Sequence, residues 1–247
     1  MTAPPLKGRV HNGEQLLGVL LRMPAEEIVE MLGLAGFDFV VIDCEHGPAD
    51  VIALRQHLAF AQLQGLAVLV RVGAAEPALV LRALDAGAQG VIAPHIDTVG
   101  QAIALVDSAY YPPVGHRGFA TYGRAGRFGG VLPAEHLDAA QQNTLAFGMI
   151  ESPIGVTHAG DIASVPGLDG IMIGTADLRA ASTDADLDPV EAVRQVHAVL
   201  AQRGSVRMDI VNGVEQARAS FADGAQLVVY NLTATLMDHL RMLRGAR

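Results

Sequence analysis

Short runs of Val, Ile, Leu and Ala recur along the chain, bounded by Gly, Pro, Asp or Asn, with longer segments of helical period between them. This alternation is the mark of a parallel sheet built from βα units. Strand-like runs fall at Leu17–Leu21, Phe39–Asp43, Ala67–Val72, Gly90–Ala93, Leu145–Ile150, Gly170–Ile173, Ser205–Val211 and Leu227–Tyr230. Eight such runs in 247 residues predict one α/β domain spanning 1–247, a single (β/α)8 barrel.

The segments between the runs carry helix signals. Pro24 and Pro77 suit a first helical turn, and Asp188-Pro189 reads as an N-cap followed by the first helical position. Gly36, Gly87 and Gly224 sit in three similar phrases, each leading from a helix into the next strand, so one αβ turn with a left-handed glycine is expected three times. The opposite strand ends must then form the other face of the barrel. From Tyr110 to Asn143 the rhythm breaks into a long Pro-, Gly- and Arg-containing segment with a short helical stretch near Ala134–Gln142. A loop of that length in a compact domain is more often functional than neutral.

Composition narrows the class. No apolar run approaches the ~20 residues of a membrane-spanning helix, and the start lacks the apolar core of a signal peptide. A soluble cytoplasmic protein without a membrane partner is expected. A single cysteine, Cys44, excludes an intrachain disulfide framework and a multi-thiolate zinc site. A net charge of −9 argues against a nucleic-acid partner. The one local concentration of positive charge, Arg117, Arg124 and Arg127, reads better as anion capture.

In (β/α)8 barrels, polar residues that follow a strand line the active-site face. Here those are Asp43 at the end of the second run with Glu45 and His46 behind it, Arg71 at the end of the third, Glu151 after the fifth, and Gly174, Thr175, Ala176 and Asp177 after the sixth. Glu151 and Asp177 suit a hard divalent cation held through oxygen, magnesium or manganese, with cobalt or zinc as alternatives. The same pair also suits a structural arrangement in which Glu151 meets a rim arginine and Asp177 caps a helix. Arg71 can stabilise an enolate oxygen or form a rim salt bridge. The spacing of His46 from Asp43 allows the carboxylate to hold one ring nitrogen and leave the other as a general base. Glu45 can reach a metal-linked water or stand as a rim charge. His95 after the fourth run faces the site or belongs to a turn. His57, His136, His158, His197 and His239 fall away from the rim, and Lys7, the one lysine, precedes the first strand.

Six ordered phrases then resemble the HpcH/HpaI aldolase family of class II, metal-dependent pyruvate aldolases: Gly36-Phe-Asp-Phe-Val-Val-Ile-Asp-Cys-Glu-His-Gly-Pro48, Val70-Arg71, Leu84-Asp-Ala-Gly-Ala-Gln-Gly90, Tyr111-Pro-Pro-Val-Gly-His-Arg-Gly118, Ile150-Glu-Ser152 and Leu168-Asp-Gly-Ile-Met-Ile-Gly-Thr-Ala-Asp-Leu178. The resemblance implies that Glu151 and Asp177 bind the cation that chelates a 2-oxo acid. It implies that Arg71 contacts the keto oxygen, and that His46, held by Asp43, moves protons with a metal-bound water. Gly174, Thr175 and Ala176 would offer backbone groups to the substrate carboxylate. Asp85 would approach the aldehyde in a neighbouring subunit's site, in a hexamer built as a trimer of dimers with exchanged C-terminal helices. The chain departs from the family pattern in three phrases: Met149 stands where Gln is usual, the phrase after the sixth strand carries Thr175 and Arg179, and Tyr230-Asn-Leu232 stands after the eighth.

The activity implied is reversible aldol cleavage of a 4-hydroxy-2-oxo acid to pyruvate, or a close 2-oxo acid, and an aldehyde, as in aromatic or sugar acid catabolism. The alternatives are a malyl- or citramalyl-CoA-type carbon–carbon lyase, a 2-oxo-acid decarboxylase, and a non-catalytic barrel that senses 2-oxo acids. Met149 and Arg179 near the site lead us to expect short or hydroxylated aldehydes as acceptors.

Overall fold

A computed structural model describes residues 5–47 and 51–245. After an opening helix α1 (Leu6–His11), strands and helices alternate as β1 (Leu16–Leu21), α2 (Glu26–Leu34), β2 (Phe39–Asp43), α3 (Val51–Leu63), β3 (Ala67–Arg71), α4 (Pro77–Asp85), β4 (Gly90–Ala93) and α5 (Val99–Ala109). The chain continues as α6 (Pro133–Asn143), β5 (Leu145–Ile150), α7 (Pro153–Ile162), β6 (Gly170–Ile173), α8 (Thr175–Ala181), α9 (Pro189–Arg203), β7 (Val206–Val211), α10 (Val214–Ala222), β8 (Leu227–Asn231) and α11 (Leu232–Arg244). The strands pair in sequence order, and β1 closes on β8, all parallel. Each expected strand is present, with ends shifted by a residue at most.

The αβ turns form as expected. Gly36, Gly87 and Gly224 have φ of 84°, 103° and 94°. In each, the glycine N–H bonds the carbonyl three residues back and the next N–H reaches five residues back, as in Phe37 to Leu32 and Ala88 to Ala83, both at 3.1 Å. Asp188 caps α9 by accepting from the Val190 N–H at 2.9 Å, and Pro77 opens α4. Pro24 instead lies ahead of α2, which starts at Glu26 with Ala25 as its N-cap.

Side chains alternate across a strand, so one parity of each strand fills the barrel interior. Leu20, Phe39, Val41, Leu69, Ile92, Phe147, Met149, Met172, Met208 and Val229 belong to that interior, and Leu6 and Val10 of α1 plug its N-terminal mouth. The outward parity packs against the helices as a second, larger apolar layer. Two residues beyond each last interior side chain the chain reaches the C-terminal mouth. There the inward positions are Arg22, Asp43, Arg71, Pro94, Glu151, Gly174, Ile210 and Asn231, so that five polar side chains stand above an apolar floor.

The long segment after α5 lies at the other end. Arg117, buried, donates from Nη2 to Asp85 at 2.6 Å and stacks over the Tyr111 ring at 4.7 Å. Tyr111 Oη meets His136 Nε2 at 3.1 Å, and the Ala125 N–H bonds the Asp85 carbonyl at 3.1 Å. These contacts fix the loop to the end of α4, on the side where strands begin. No helix among the described residues is long and apolar enough to cross a membrane.

Candidate active site

Strand register brings the first pair together. Asp43 and Arg71 are direct partners on β2 and β3, both inward, so carboxylate and guanidinium meet without any loop to place them. Asp43 accepts from Arg71 Nε at 2.9 Å and Nη2 at 2.5 Å, a two-pronged contact that fixes the guanidinium plane. Arg22 Nε donates to the same carboxylate at 2.9 Å, and Arg22 Nη1 donates to Asn231 Oδ1 at 2.8 Å. Both Asp43 and Arg71 are buried. Burial works against the charge of Asp43, but the bonds and charges of Arg71, the His46 N–H and Arg22 together outweigh it and hold the carboxyl below its usual range. Burial likewise opposes the charge on Arg71, and Asp43, Glu45 and Glu151 together raise it further above neutrality.

The pairing expected between Asp43 and the His46 ring is not formed. Asp43 Oδ1 accepts the backbone N–H groups of Glu45 and His46, both at 3.2 Å, so the carboxylate shapes the turn after β2 while its remaining capacity goes to two arginines. The His46 ring is 56% exposed, with Nε2 3.8 Å from Glu45 Oε2. It stands at the rim, free to meet a ligand rather than fixed by Asp43.

Glu45 and Glu151 form the second half of the site. Glu45 Oε2 lies 3.2 Å from Arg71 Nη1, is buried, and makes no hydrogen bond. Glu151 Oε1 accepts the His95 N–H at 2.7 Å and stands 3.2 Å from His95 Nδ1, while His95 Nε2 is 3.9 Å from Glu45 Oε1. Burial is the largest influence on Glu151 and raises its carboxyl above the ordinary range; His95 opposes the rise, and the charges of Asp177 and Glu45 add to it. Gly174 follows β6 directly, and a Cβ there would collide with the Glu151 carboxylate. Only glycine lets β6 pass so close. Thr175, Ala176 and Asp177 form the first turn of α8, the part of a helix whose N–H groups have no intrahelical acceptor.

The sequence reading therefore placed Asp43, Glu45, His46, Arg71, Glu151, Gly174, Thr175, Ala176 and Asp177 on one mouth, and the fold puts them there. Asp85 ends α4 at the opposite end, paired to Arg117, and is not part of its own chain's site. Arg22 and Asn231 were missed; the inward parity of Leu16, Gly18 and Leu20 on β1 was the signal for Arg22. His95, left open above, belongs to the site and holds a left-handed backbone, φ 54°. Met149 faces the same space, its Sδ 3.9 Å from Arg71 Nη1. Lys7 is at the far end of the barrel, held by Asp169 at 3.0 Å and by the Thr144 carbonyl at 2.7 Å.

The donor set suits a hard cation: carboxylates without a thiolate, one of them buried among like charges. Among the described residues no group of three or more His, Cys, Asp or Glu converges as a complete cage, so an ion here would rely on water and ligand oxygens for its remaining positions.

Known proteins share the sequence and the fold that carry this mouth. The chain is 40% identical over 152 residues to the 5-keto-4-deoxy-D-glucarate aldolase of Salmonella arizonae, a stretch covering 62% of this chain and 59% of that relative. A crystal structure of a HpcH/HpaI aldolase/citrate lyase family protein from Burkholderia cenocepacia J2315 superposes with a TM-score of 0.89 at 31% identity, covering 98% of both chains. The crystal structure of the citrate synthase SbnG superposes with a TM-score of 0.85 at 26% identity, covering 98% of this chain and 96% of that one. The model of the HpcH/HpaI aldolase/citrate lyase family matches residues 18–234, and the chain belongs to that family.

Proposed function

We propose that the chain is a carbon–carbon lyase, a metal-dependent class II aldolase that cleaves 4-hydroxy-2-oxo acids reversibly to pyruvate, or a close 2-oxo acid, and an aldehyde. The observation that carries this reading is Arg71: a buried guanidinium, clamped in one plane by Asp43, at the mouth of the barrel beside Glu45. A fixed, permanently charged donor in a dry site is what a developing enolate oxygen requires. Relatives named as 5-keto-4-deoxy-D-glucarate aldolases support the substrate class. Numbered from its keto end, such a sugar diacid is itself a 4-hydroxy-2-oxo acid.

Glu151 and Asp177 would hold the divalent cation, magnesium or manganese, which when bound would polarise the keto oxygen and draw off negative charge. Gly174 keeps the Glu151 carboxylate clear of β6, and the first N–H groups of α8 would orient the substrate carboxylate. In cleavage, His46 at the rim takes the proton of the C4 hydroxyl. The C3–C4 bond breaks, the C4 carbon leaves as the aldehyde, and the bonding pair becomes the enolate whose oxygen faces Arg71. A proton delivered to C3 completes pyruvate. Asp43 contributes by holding Arg71 and the turn that carries Glu45 and His46.

We infer further that the active form is an oligomer, the hexamer expected above. α11 has no buried residue, and Leu236, Met237, Leu240 and Leu243 are exposed along it. Asp85, remote from its own chain's site, would serve a neighbour's.

Proton NMR of pyruvate in deuterium oxide tests the chemistry. Enolate formation alone exchanges the methyl protons, so exchange should need no aldehyde, should stop with a chelator, and should vanish in E151A. Exchange that survives complete removal of metal would overturn the reading. The likeness to a citrate synthase favours one alternative, condensation onto a 2-oxo diacid. Product analysis with oxaloacetate as the acceptor, in place of an aldehyde, separates the two.

A further inference from the structure

Two guanidinium groups stand among the inward side chains of the mouth, and the chemistry above uses one of them. Arg71 faces the enolate oxygen, whereas Arg22, on the other side of Asp43, has no part in it. The strands set its place. Leu20 pairs with Asn231 where β1 closes on β8, and Arg22 lies two positions beyond Leu20 on the same inward parity. In a closed ring of eight strands β1 is four strands from β5, so Arg22 stands across the mouth from Glu151.

The Arg22 fork is aimed from two sides. Nε donates to Asp43 at 2.9 Å and Nη1 to Asn231 Oδ1 at 2.8 Å. Asn231 is diverted to make this contact: it is the N-cap of α11, where an asparagine oxygen usually accepts a helix N–H, yet its side chain makes no capping bond. A guanidinium has five N–H donors, and these contacts use two. Among the described residues Nη2 of Arg22 donates to no group. Arg71 alone supplies Asp43 with a full counter-charge, through bonds of 2.9 and 2.5 Å. The Arg71 side chain is 3% exposed and that of Arg22 is 26% exposed, which leaves part of the second fork open to the mouth. A ligand held by its 2-oxo acid end at β5 and β6, with its keto oxygen toward Arg71 on β3, runs from C4 onward toward β1 and β8. The inward positions on β4 and β7 are the apolar Pro94 and Ile210, so the charged group that can meet its far end from a strand is Arg22.

We propose that Arg22, oriented by Asn231, determines acceptor specificity by binding a carboxylate at the far end of the aldehyde, so that the substrates split here are 4-hydroxy-2-oxo diacids. The proposal rests on the aldolase reading and narrows it: the short or hydroxylated aldehyde expected from Met149 and Arg179 gains an anionic end. A carboxylate offers two coplanar oxygens to the remaining N–H groups of a fixed fork, and a hydroxyl offers one.

Aldol addition of pyruvate to two pairs of acceptors tests it: glyoxylate against acetaldehyde, and succinic semialdehyde against butanal, each pair matched in carbon number. Glyoxylate is intrinsically the more electrophilic of its pair, so the readout is the change in the ratio of kcat/KM, carboxylated over uncharged, between wild type and variant. In R22Q that ratio should fall about 10–100-fold for at least one pair, the scale of one charge-assisted contact, and mainly through KM. R22K should recover part of it, and N231A, which loosens the fork but keeps the charge, should lower it less than R22Q does. Should R22Q lose its fold, R22K carries the same test with a smaller fall. A merely structural role, exerted through Asp43 and Arg71, would slow both members of each pair alike and leave the ratios where they were. Methyl-proton exchange of pyruvate needs no acceptor and reports on the aldolase reading separately. Wild-type exchange with ratios unmoved by these variants would overturn the assignment of Arg22 alone; no exchange in the metal-loaded wild type would overturn both.

Discussion

Asp43→Asn removes one charge and almost no volume from the centre of the site, and the structure fixes what should follow. Asp43 is fully buried and receives two bonds from Arg71, one from Arg22 and two from backbone N–H groups. An amide can accept some of these but cannot face two guanidinium groups, because its NH2 end meets donors. Removing one partner of a buried ion pair typically costs about 3–5 kcal/mol, since the remaining charge stays buried without compensation. Here Arg71 keeps Glu45 at 3.2 Å, which places the expected loss at the lower end, about 3 kcal/mol at pH 7. The pH dependence has a definite sign. The folded-state carboxyl lies below its ordinary value, so its contribution is complete above the unfolded value of about 4 and is lost as pH falls through the folded one. Urea unfolding of wild type and D43N should therefore show a gap that is wide at pH 7 and narrows in acid. A gap under about 1 kcal/mol at pH 7, or one that stays constant into acid, would refute the argument that this pair is a compensated buried charge.

Other expectations are direct. R71A should fold and retain metal binding but lose roughly 10²–10³-fold in pyruvate proton exchange, the scale of losing one oxyanion donor, read by NMR. Glu151 is buried among Asp177 and Glu45 and its carboxyl is raised, so its charge costs stability without a counter-ion; E151Q should melt at a higher temperature than metal-free wild type and lose the rise that magnesium or manganese gives the wild type. The Cys44 thiol is pushed up to about 11 by burial and the charges of Asp43 and Glu76, so iodoacetamide at pH 8 should leave it unmodified over the time in which a free peptide thiol reacts fully, as mass spectrometry would show. L240E, on the exposed apolar face of α11, should lower the mass measured by light scattering; a wild-type monomer at micromolar concentration would remove the case for exchange.

The fold was legible because the two periods of the sequence are local. Strand runs, Pro77 at the start of α4 and the three glycine turns each depend on residues within one turn of themselves, and the barrel follows from their order. The site was legible for the same reason wherever a residue ends a strand or follows it within a few positions, as Arg71, Glu151 and Asp177 do. What the sequence could not show was which of these polar groups satisfies which. Asp43 is three residues from His46 and 28 from Arg71, and spacing favoured the nearer partner. Parallel register decides otherwise, because it makes Asp43 and Arg71 neighbours and turns both inward, whereas the His46 side chain leaves the barrel at the turn. Arg22 was overlooked because it ends an unremarkable apolar run; only closure of β1 against β2 and β8 brings it between Asp43 and Asn231. A residue's neighbours within a barrel mouth are thus set by pairing across strands, a long-range property. Candidate chemistry is therefore better sought by extending each strand's inward parity by one step than by weighing distances along the chain. Applied here, that step selects Arg22, Asp43, Arg71, Glu151, Gly174 and Asn231 together with the apolar Pro94 and Ile210, and it leaves His46 at the rim, the position the proposed proton carrier would need to move between a bound substrate and water.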